Sequence, residues 1–285
     1  MVFCIKCGTK NDDDIKFCKM CGSRLSNDLN DDGIQKLKKQ TLDTIGRAVE
    51  NDLLVADALD GEPSALKRLI TILTQRRDSA GNDNTREMNE IIFAWAERGA
   101  SKDPSIKTVL SLMYLKGKGT SANVNRGLTL LKEAALGGDA DAQFQLGRYY
   151  LDGVWFEQSG SEAVRWMTEA AENGHGEALF MLSELYQEGS VVPKDMDRSL
   201  DLLIRSADSG YPWAQFKYAK MLKDGKTGTD DRLMIGLFMK ACEAGIPEAF
   251  YEMAQCYEEG RGVDRSERLF IERMETACGL GVSQA

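Results

Sequence analysis

The chain has 285 residues and a mass of 31.6 kDa, and 42% of its residues are hydrophobic and 28% charged, which is typical of a globular protein with one large or two ordinary domains. The net charge of −9 argues against a protein that mainly binds the phosphate backbone of nucleic acids, because that role needs a basic surface. A cationic partner or a protein partner fits this charge better. No apolar run approaches the roughly 18 residues of a membrane helix, and the first cysteine, at position 4, leaves no room for a signal peptide, so we expect a soluble cytoplasmic protein.

Two CxxCG motifs open the chain, at Cys4–Gly8 and Cys18–Gly22. Thiolates at this spacing complete the tetrahedral shell of one zinc ion, and the predicted ligands are Cys4, Cys7, Cys18 and Cys21; iron is the alternative metal. Four thiolates leave no coordination position open for water, which favours a structural over a catalytic metal. The stretch resembles the small bacterial zinc ribbon, and the resemblance implies a small β module over residues 1–25.

This first module differs in charge from the rest of the chain. Residues 1–25 carry five Lys or Arg and three Asp, a net charge of +2, which leaves −11 for the remainder. A zinc ribbon can bind nucleic acid, so the alternative function is a nucleic-acid-associated regulatory factor. Asp12, Asp13 and Asp14 weaken it, because they lie at the tip that would meet phosphate. The polar, acidic residues 26–33 predict a flexible linker.

Residues 34–103 predict degenerate N-terminal helices and one degenerate repeat. Apolar spacing indicates a helix over about 34–60 and a helix pair over about 64–77 and 85–99, joined by a loop at Asn82, Asp83 and Asn84. The segment Gly61-Glu62-Pro63 has the glycine-then-proline punctuation that separates helices further along the chain.

An internal repeat of about 36 residues organises residues 104–285. Two series of glycines mark it: Gly117, Gly153, Gly189, Gly225 and Gly260, and Gly138, Gly174, Gly210, Gly245 and Gly281. The segments before both series have helical apolar spacing, which predicts five antiparallel helix pairs with a glycine ending each helix. In the first helix of each pair a small residue recurs (Ser111, Gly147, Ser183, Ala219 and Ala254), and it should let a neighbouring helix approach closely.

The stretches AQFQLGRYYLDG (142–153) and SEAVRWMTEAAENGH (161–175) resemble the Sel-one-like repeat, a relative of the tetratricopeptide repeat. The resemblance implies an all-α, right-handed α/α solenoid whose first helices line a concave groove that binds a protein or peptide, and hence a non-enzymatic adaptor. Cysteine-rich relatives associated with β-lactam compounds carry a regular cysteine pair in each repeat. This chain lacks that pairing, so a β-lactamase-like hydrolase is a third, weaker hypothesis.

Catalytic side chains are scarce in this sequence. His175 is the only histidine, which nearly excludes Ser-His and Cys-His catalysis, and we interpret it as a variable surface residue. Outside the zinc motifs, Cys242, Cys256 and Cys278 are predicted to be buried small hydrophobic residues.

A helical wheel of the first helices selects the residues that should face the groove. They are Gln145, Arg148, Asp152, Met181, Glu184, Glu188, Lys217, Lys220, Asp224, Glu252, Gln255 and Glu259. The acidic residues Asp152, Glu188, Asp224 and Glu259 recur at one position, either as ordinary solvated surface or as a line that steers a basic partner. Trp155 and Phe156 interrupt a loop, either as inter-repeat packing or as an exposed contact pair for a partner.

The last repeat has the composition of a cap. Arg273 replaces the Leu or Trp of the earlier copies, and Glu272 and Glu275 stand nearby. A truncated array is the alternative. Because Phe270, Leu280 and Val282 are apolar, we also expect that this end could self-associate.

Overall fold

The structure is a computed structural model that describes residues 2–3, 10–11, 31–46, 48–79, 85–228 and 230–282. In these residues two short strands, β1 (Val2–Phe3) and β2 (Lys10–Asn11), form an antiparallel pair in which Val2 faces Asn11 and Phe3 faces Lys10. The first four helices are α1 (Asp31–Ile45), α2 (Val49–Leu59), α3 (Pro63–Ser79) and α4 (Thr85–Gly99).

Ten further helices form the five predicted pairs. They are α5 (Pro104–Lys116), α6 (Val124–Leu136), α7 (Ala140–Asp152), α8 (Gly160–Glu172), α9 (Gly176–Glu188), α10 (Met196–Asp208), α11 (Pro212–Lys223), α12 (Asp231–Glu243), α13 (Pro247–Glu259) and α14 (Glu267–Gly279). The all-α, helix-pair architecture predicted from the sequence is confirmed. The chain divides into two compact units, unit 1 (residues 1–146) and unit 2 (residues 147–285).

The single helix expected over 34–60 is wrong, because two helices, α1 and α2, occupy this region. Gly46 adopts φ +88°, a conformation that ends a helix, and its N–H still bonds the carbonyl of Leu42. The side-chain amide of Asn51 then donates to the carbonyls of Ile45 and Gly46, at 3.1 and 2.9 Å. These bonds satisfy carbonyl groups that a broken helix leaves without partners. In addition, α1 begins at Asp31, inside the segment expected to be a linker.

Unit 1 has a core built around a buried tryptophan. Trp95 of α4 is fully buried, and its indole N–H donates to the hydroxyl of Thr41 in α1 at 2.9 Å. Leu66, Leu69 and Leu73 of α3 are buried in the same cluster. The hydrogen bond satisfies the one polar atom that burial of the indole would otherwise strand.

The repeat glycines end their helices as predicted. Every glycine of both series has a φ between 65° and 93°, the left-handed region that non-glycine residues rarely adopt. The following first helices begin with a side-chain cap or with proline: Asp139 accepts from the backbone N–H of Ala142, whereas Pro212 and Pro247 open α11 and α13.

The small residues allow close helix packing, again as predicted. Ser111, Ser183, Ala219 and Ala254 are fully buried. At Gly147 in α7, a Cβ atom would lie 2.7 Å from Cγ of Met167 in α8, nearer than real carbon atoms approach. Only glycine lets α8 lie this close to α7.

The last pair is more exposed than the others. In α14 only Ala277 is buried, and Glu272 and Glu275 are exposed. The cap and its alternative, a truncated array, both stay predictions. Ile271 and Leu280 are also exposed. Self-association through this end stays a prediction.

Candidate functional site

The outward residues of consecutive first helices in unit 2 form one polar surface, which we call the first-helix face. Residues spaced by four, three and four positions lie on the same side of a helix. The first-helix face comprises Arg148, Asp152, Glu177, Met181, Glu184, Glu188, Trp213, Lys217, Lys220, Asp224, Glu248, Glu252, Gln255 and Glu259. The acidic residues that recur at one helical position are all exposed: Asp152, Glu188, Asp224 and Glu259.

Lysines of α11 bridge to the neighbouring first helices. The ammonium of Lys217 lies 3.5 Å from Oε1 of Glu184 in α9. On the other side, Lys220 and Lys223 contact the two carboxylate oxygens of Glu252 in α13 at 3.1 and 2.7 Å. Part of this surface therefore links neighbouring repeats through ion pairs.

Glu252 corrects an expectation from the helical wheel, which placed its side chain in solvent. It is only 7% exposed, because Lys220 and Lys223 cover its carboxylate. The side chain of Lys223 is 11% exposed and donates to Oε1 of Gln255 at 2.6 Å. A buried carboxylate is tolerated here because two ammonium groups neutralise it.

An aromatic cluster lies at the start of α11 and beside α9. The rings of Phe180 and Tyr211 are 5.4 Å apart, and those of Trp213 and Phe216 are 6.2 Å apart, edge to face. Trp213 is 42% exposed. Trp213 was not predicted from the sequence, although its place four residues before Lys217 puts it on the same side of the helix.

Charged groups from two helices surround Tyr211. Burial raises the pKa of its hydroxyl, and the carboxylates of Glu177 and Glu184 raise it further, whereas Arg148 lowers it. All three charged side chains therefore lie near Tyr211 on the first-helix face. The site combines aromatic rings with carboxylates, a combination that favours cations.

Trp155 and Phe156 have different surroundings. Phe156 stacks on Tyr150 of its own repeat, with ring centres 4.7 Å apart. Trp155 is 48% exposed and adopts φ +67°, the one positive φ of a non-glycine residue in the described part of the chain. The observed stacking of Phe156 is within one repeat and not between repeats, and a binding role for Trp155 stays a prediction.

Gln145 lies in unit 1 and is half-buried on α7. It is not part of the first-helix face defined above. Its role in binding stays a prediction.

The surroundings of the histidine and of two cysteines indicate structural roles for these residues. Nδ1 of His175 accepts a hydrogen bond from the backbone N–H of Ala178 at 3.1 Å, so this residue caps α9 rather than being an arbitrary surface residue. Burial raises the pKa of the Cys242 and Cys256 thiols to about 11, which makes them poor nucleophiles. Cys256 is buried as predicted and Cys242 is half-buried, but the prediction is wrong for Cys278, which is exposed at the end of α14.

The four cysteines of the two CxxCG motifs lie outside the described residues. The strands β1 and β2 flank the first motif in sequence, since Cys4 follows Phe3 directly. The set of donors fits zinc, because four thiolates with short CxxC spacing are a preferred structural zinc shell.

Protein-family models match both parts of the chain. A zinc-ribbon domain matches residues 3–25, and the Sel1 repeat matches residues 109–139, 140–175, 176–211 and 247–269. The chain contains Sel1 repeats. The repeat formed by α11 and α12 is not among the matched segments, yet it keeps the helix pair. In that copy Tyr218 and Leu222 replace the usual leucine and tyrosine.

Solved structures of Sel1-repeat proteins have a similar fold. A Sel1 repeat protein from Oxalobacter formigenes has a TM-score of 0.64 and 24% identity, over 76% of this chain and 88% of that one. The Escherichia coli protective antigen c5321, which displays an SLR fold, has a TM-score of 0.62 and 22% identity, over 90% of this chain and 55% of that one. The immunity protein PA5088 from Pseudomonas aeruginosa has a TM-score of 0.51 and 15% identity, over 75% and 82%. These likenesses establish the solenoid fold class of this chain and nothing more specific.

A comparison with curated protein sequences found no match. Among the helices that the structure describes, none combines the length and the apolar character needed to cross a bilayer.

Proposed function

We propose that this protein is a non-enzymatic adaptor that binds a protein or peptide on the first-helix face of unit 2. The observation that carries the proposal is the contrast between core and surface in the repeats. Core positions repeat the same residue types, such as the fully buried Ala178, Ala214 and Ala249. Several outward positions change from copy to copy: the position of the exposed Trp213 holds Glu177 in the preceding repeat. Tryptophan is a residue of the kind that dominates binding energy at interfaces.

The chemistry of the catalytic candidates also favours binding over catalysis. His175 uses Nδ1 to cap a helix, and the thiols of Cys242 and Cys256 are held in their protonated form by burial. Burial raises the pKa of both thiols, which disfavours the thiolate that a cysteine nucleophile needs.

The zinc ribbon is the second module of this proposal. One zinc ion bound by Cys4, Cys7, Cys18 and Cys21 would fold residues 1–25 around itself, and those four thiolates would leave no position for a reacting water. The ribbon then presents a compact surface for a further contact. The thiols of Cys242, Cys256 and Cys278 are free, and this state agrees with a reducing cytoplasm.

Affinity capture from a lysate, read out by mass spectrometry, tests the adaptor function. The full chain is compared with a Met181→Ser/Trp213→Ala variant and with a control, Leu233→Ala/Met239→Ser, which changes two exposed apolar residues of α12. We expect specific proteins to be lost only with the first variant. An identical set of captured proteins for all three would contradict binding on the first-helix face. A Cys18→Ser variant in the same experiment shows whether the ribbon adds a partner.

A further inference from the structure

An internal cation already occupies the aromatic and acidic part of the first-helix face. We call it the aromatic–acidic site, formed by Glu177 and Glu184 of the first-helix face and by the adjoining rings of Phe180 and Tyr211. The ammonium of Lys217 lies 5.4 Å from the ring centre of Phe180 and 3.5 Å from Oε1 of Glu184. A cation within about 6 Å of an aromatic ring centre is attracted by the ring. The site therefore has the chemistry to hold a positive charge.

Lys217 is held weakly in this site. Its distance of 3.5 Å to Glu184 is longer than the roughly 2.7–2.9 Å of a strong charge-assisted hydrogen bond. By contrast, Lys223 lies 2.7 Å from Glu252, and both of those side chains are about one-tenth exposed. The side chain of Glu184 is 45% exposed, so its carboxylate remains accessible to another donor.

The charge around the site attracts cations. The first-helix face of unit 2 carries eight carboxylates and, with Lys223 included, four cationic side chains, a net charge of −4. The cations are Arg148, Lys217, Lys220 and Lys223, and the last two are committed to Glu252. Such a surface steers basic partners toward it and disfavours acidic ones.

We propose that the aromatic–acidic site takes an arginine side chain of a basic partner peptide, which displaces Lys217 from Phe180 and Glu184. This inference rests on the proposed function, since it names the partner chemistry of the same face. Arginine suits the site better than lysine, because its planar guanidinium can stack on an aromatic ring and bond both oxygens of a carboxylate. Lys217 is thus an internal occupant that binding must remove.

Calorimetric titration of the full chain at physiological salt tests the displacement. The probe is a short synthetic peptide with arginines separated by glycine and leucine, and its control replaces each arginine by neutral citrulline. Because Lys217→Gln empties the site, it should bind the arginine peptide about threefold to tenfold more tightly than wild type. Glu184→Gln should bind it more weakly by a similar factor. Lys220→Gln removes a cation from the same face but leaves the site intact, so it should match wild type.

Several outcomes would overturn the proposal. They are unchanged or weaker binding by Lys217→Gln, an equal gain by Lys220→Gln, equal binding of the citrulline peptide, or no measurable binding of the arginine peptide by any of these proteins. A peptide with glutamate in place of arginine distinguishes failure of this inference from failure of the proposed function. If a glutamate peptide binds wild type and loses affinity in Lys217→Gln, the face binds peptides of the opposite charge: the proposed function survives and this inference fails.

Discussion

Trp155 adopts φ +67°, close to the +71° of Gly262. Each residue lies two positions after the glycine that ends the first helix of its pair. Gly119, in the first pair, adopts +74° at the same position. This loop position is left-handed in three of the five pairs, and in the second pair a tryptophan adopts that conformation. Bulky residues with positive φ are outliers, and such strain is often found at functional sites.

The strain at Trp155 predicts that glycine is better than alanine there. Both Trp155→Gly and Trp155→Ala lose the indole, but only glycine relieves the backbone. We expect the glycine variant to have a free energy of unfolding about 1 kcal/mol higher than the alanine variant. Chemical denaturation measures the difference. At the exposed Lys240 in α12 the same pair of substitutions should give the opposite order, since glycine is unfavourable inside a helix. The same order at both positions would contradict strain.

Glu252 predicts a costly loss of charge pairing. Glu252→Ala leaves the largely buried ammonium of Lys223 without its carboxylate, and we expect the free energy of unfolding to fall by roughly 2–4 kcal/mol. Glu248→Ala, at an exposed position of the same helix, is the control and should change it by no more than about 0.5 kcal/mol.

A double variant shows how much of the stability lost in Glu252→Ala comes from leaving Lys223 without its carboxylate. Because Lys223→Ala removes the unpaired ammonium, Glu252→Ala/Lys223→Ala should lose less stability than the sum of the two single changes. Additive losses, measured by denaturation, would show that the two side chains do not stabilise each other.

Glu97 predicts a pH dependence of stability. Burial raises its pKa, although the hydroxyl of Tyr114, which donates to Oε1 at 2.8 Å, and the charge of Arg126 act in the opposite direction. Because the folded-state pKa lies above the unfolded value of about 4.3, folding favours the protonated acid, and stability falls as pH rises through the folded-state pKa. Glu97→Gln, which keeps the acceptor for Tyr114, should melt at a higher temperature than wild type at neutral pH and at the same temperature near pH 4. A difference in melting temperature that is constant with pH would contradict this.

The two CxxCG motifs predict one bound metal ion. Elemental analysis of the purified chain should find about one zinc per molecule, and Cys18→Ser should lose most of it. The helical circular dichroism signal should persist in that variant, because α1 to α14 contain none of the four ligands. Cys278→Ser is the matched control, an exposed cysteine outside the motifs, and should keep its zinc. Equal zinc loss in both variants would contradict the assignment.

Much of the fold could be predicted because its signals are local and repeated. Glycine at a helix end, proline at a helix start and a small residue at a helix crossing act within a few residues, and five copies make each signal visible. The break at Gly46 was missed because the apolar spacing continues past it. Only the structure shows that Asn51 satisfies the carbonyls of the broken end.

The amino-acid sequence by itself determined the helix pairs, their caps and the side of each first helix that faces away from the core, since these follow from the periodicity of one helix. Only the tertiary structure decided which outward residues meet. It buries Glu252 under two lysines and places Lys217 between Phe180 and Glu184. These contacts join residues about 30 positions apart, and their geometry depends on how one repeat stacks on the next, which the periodicity of a single helix does not specify.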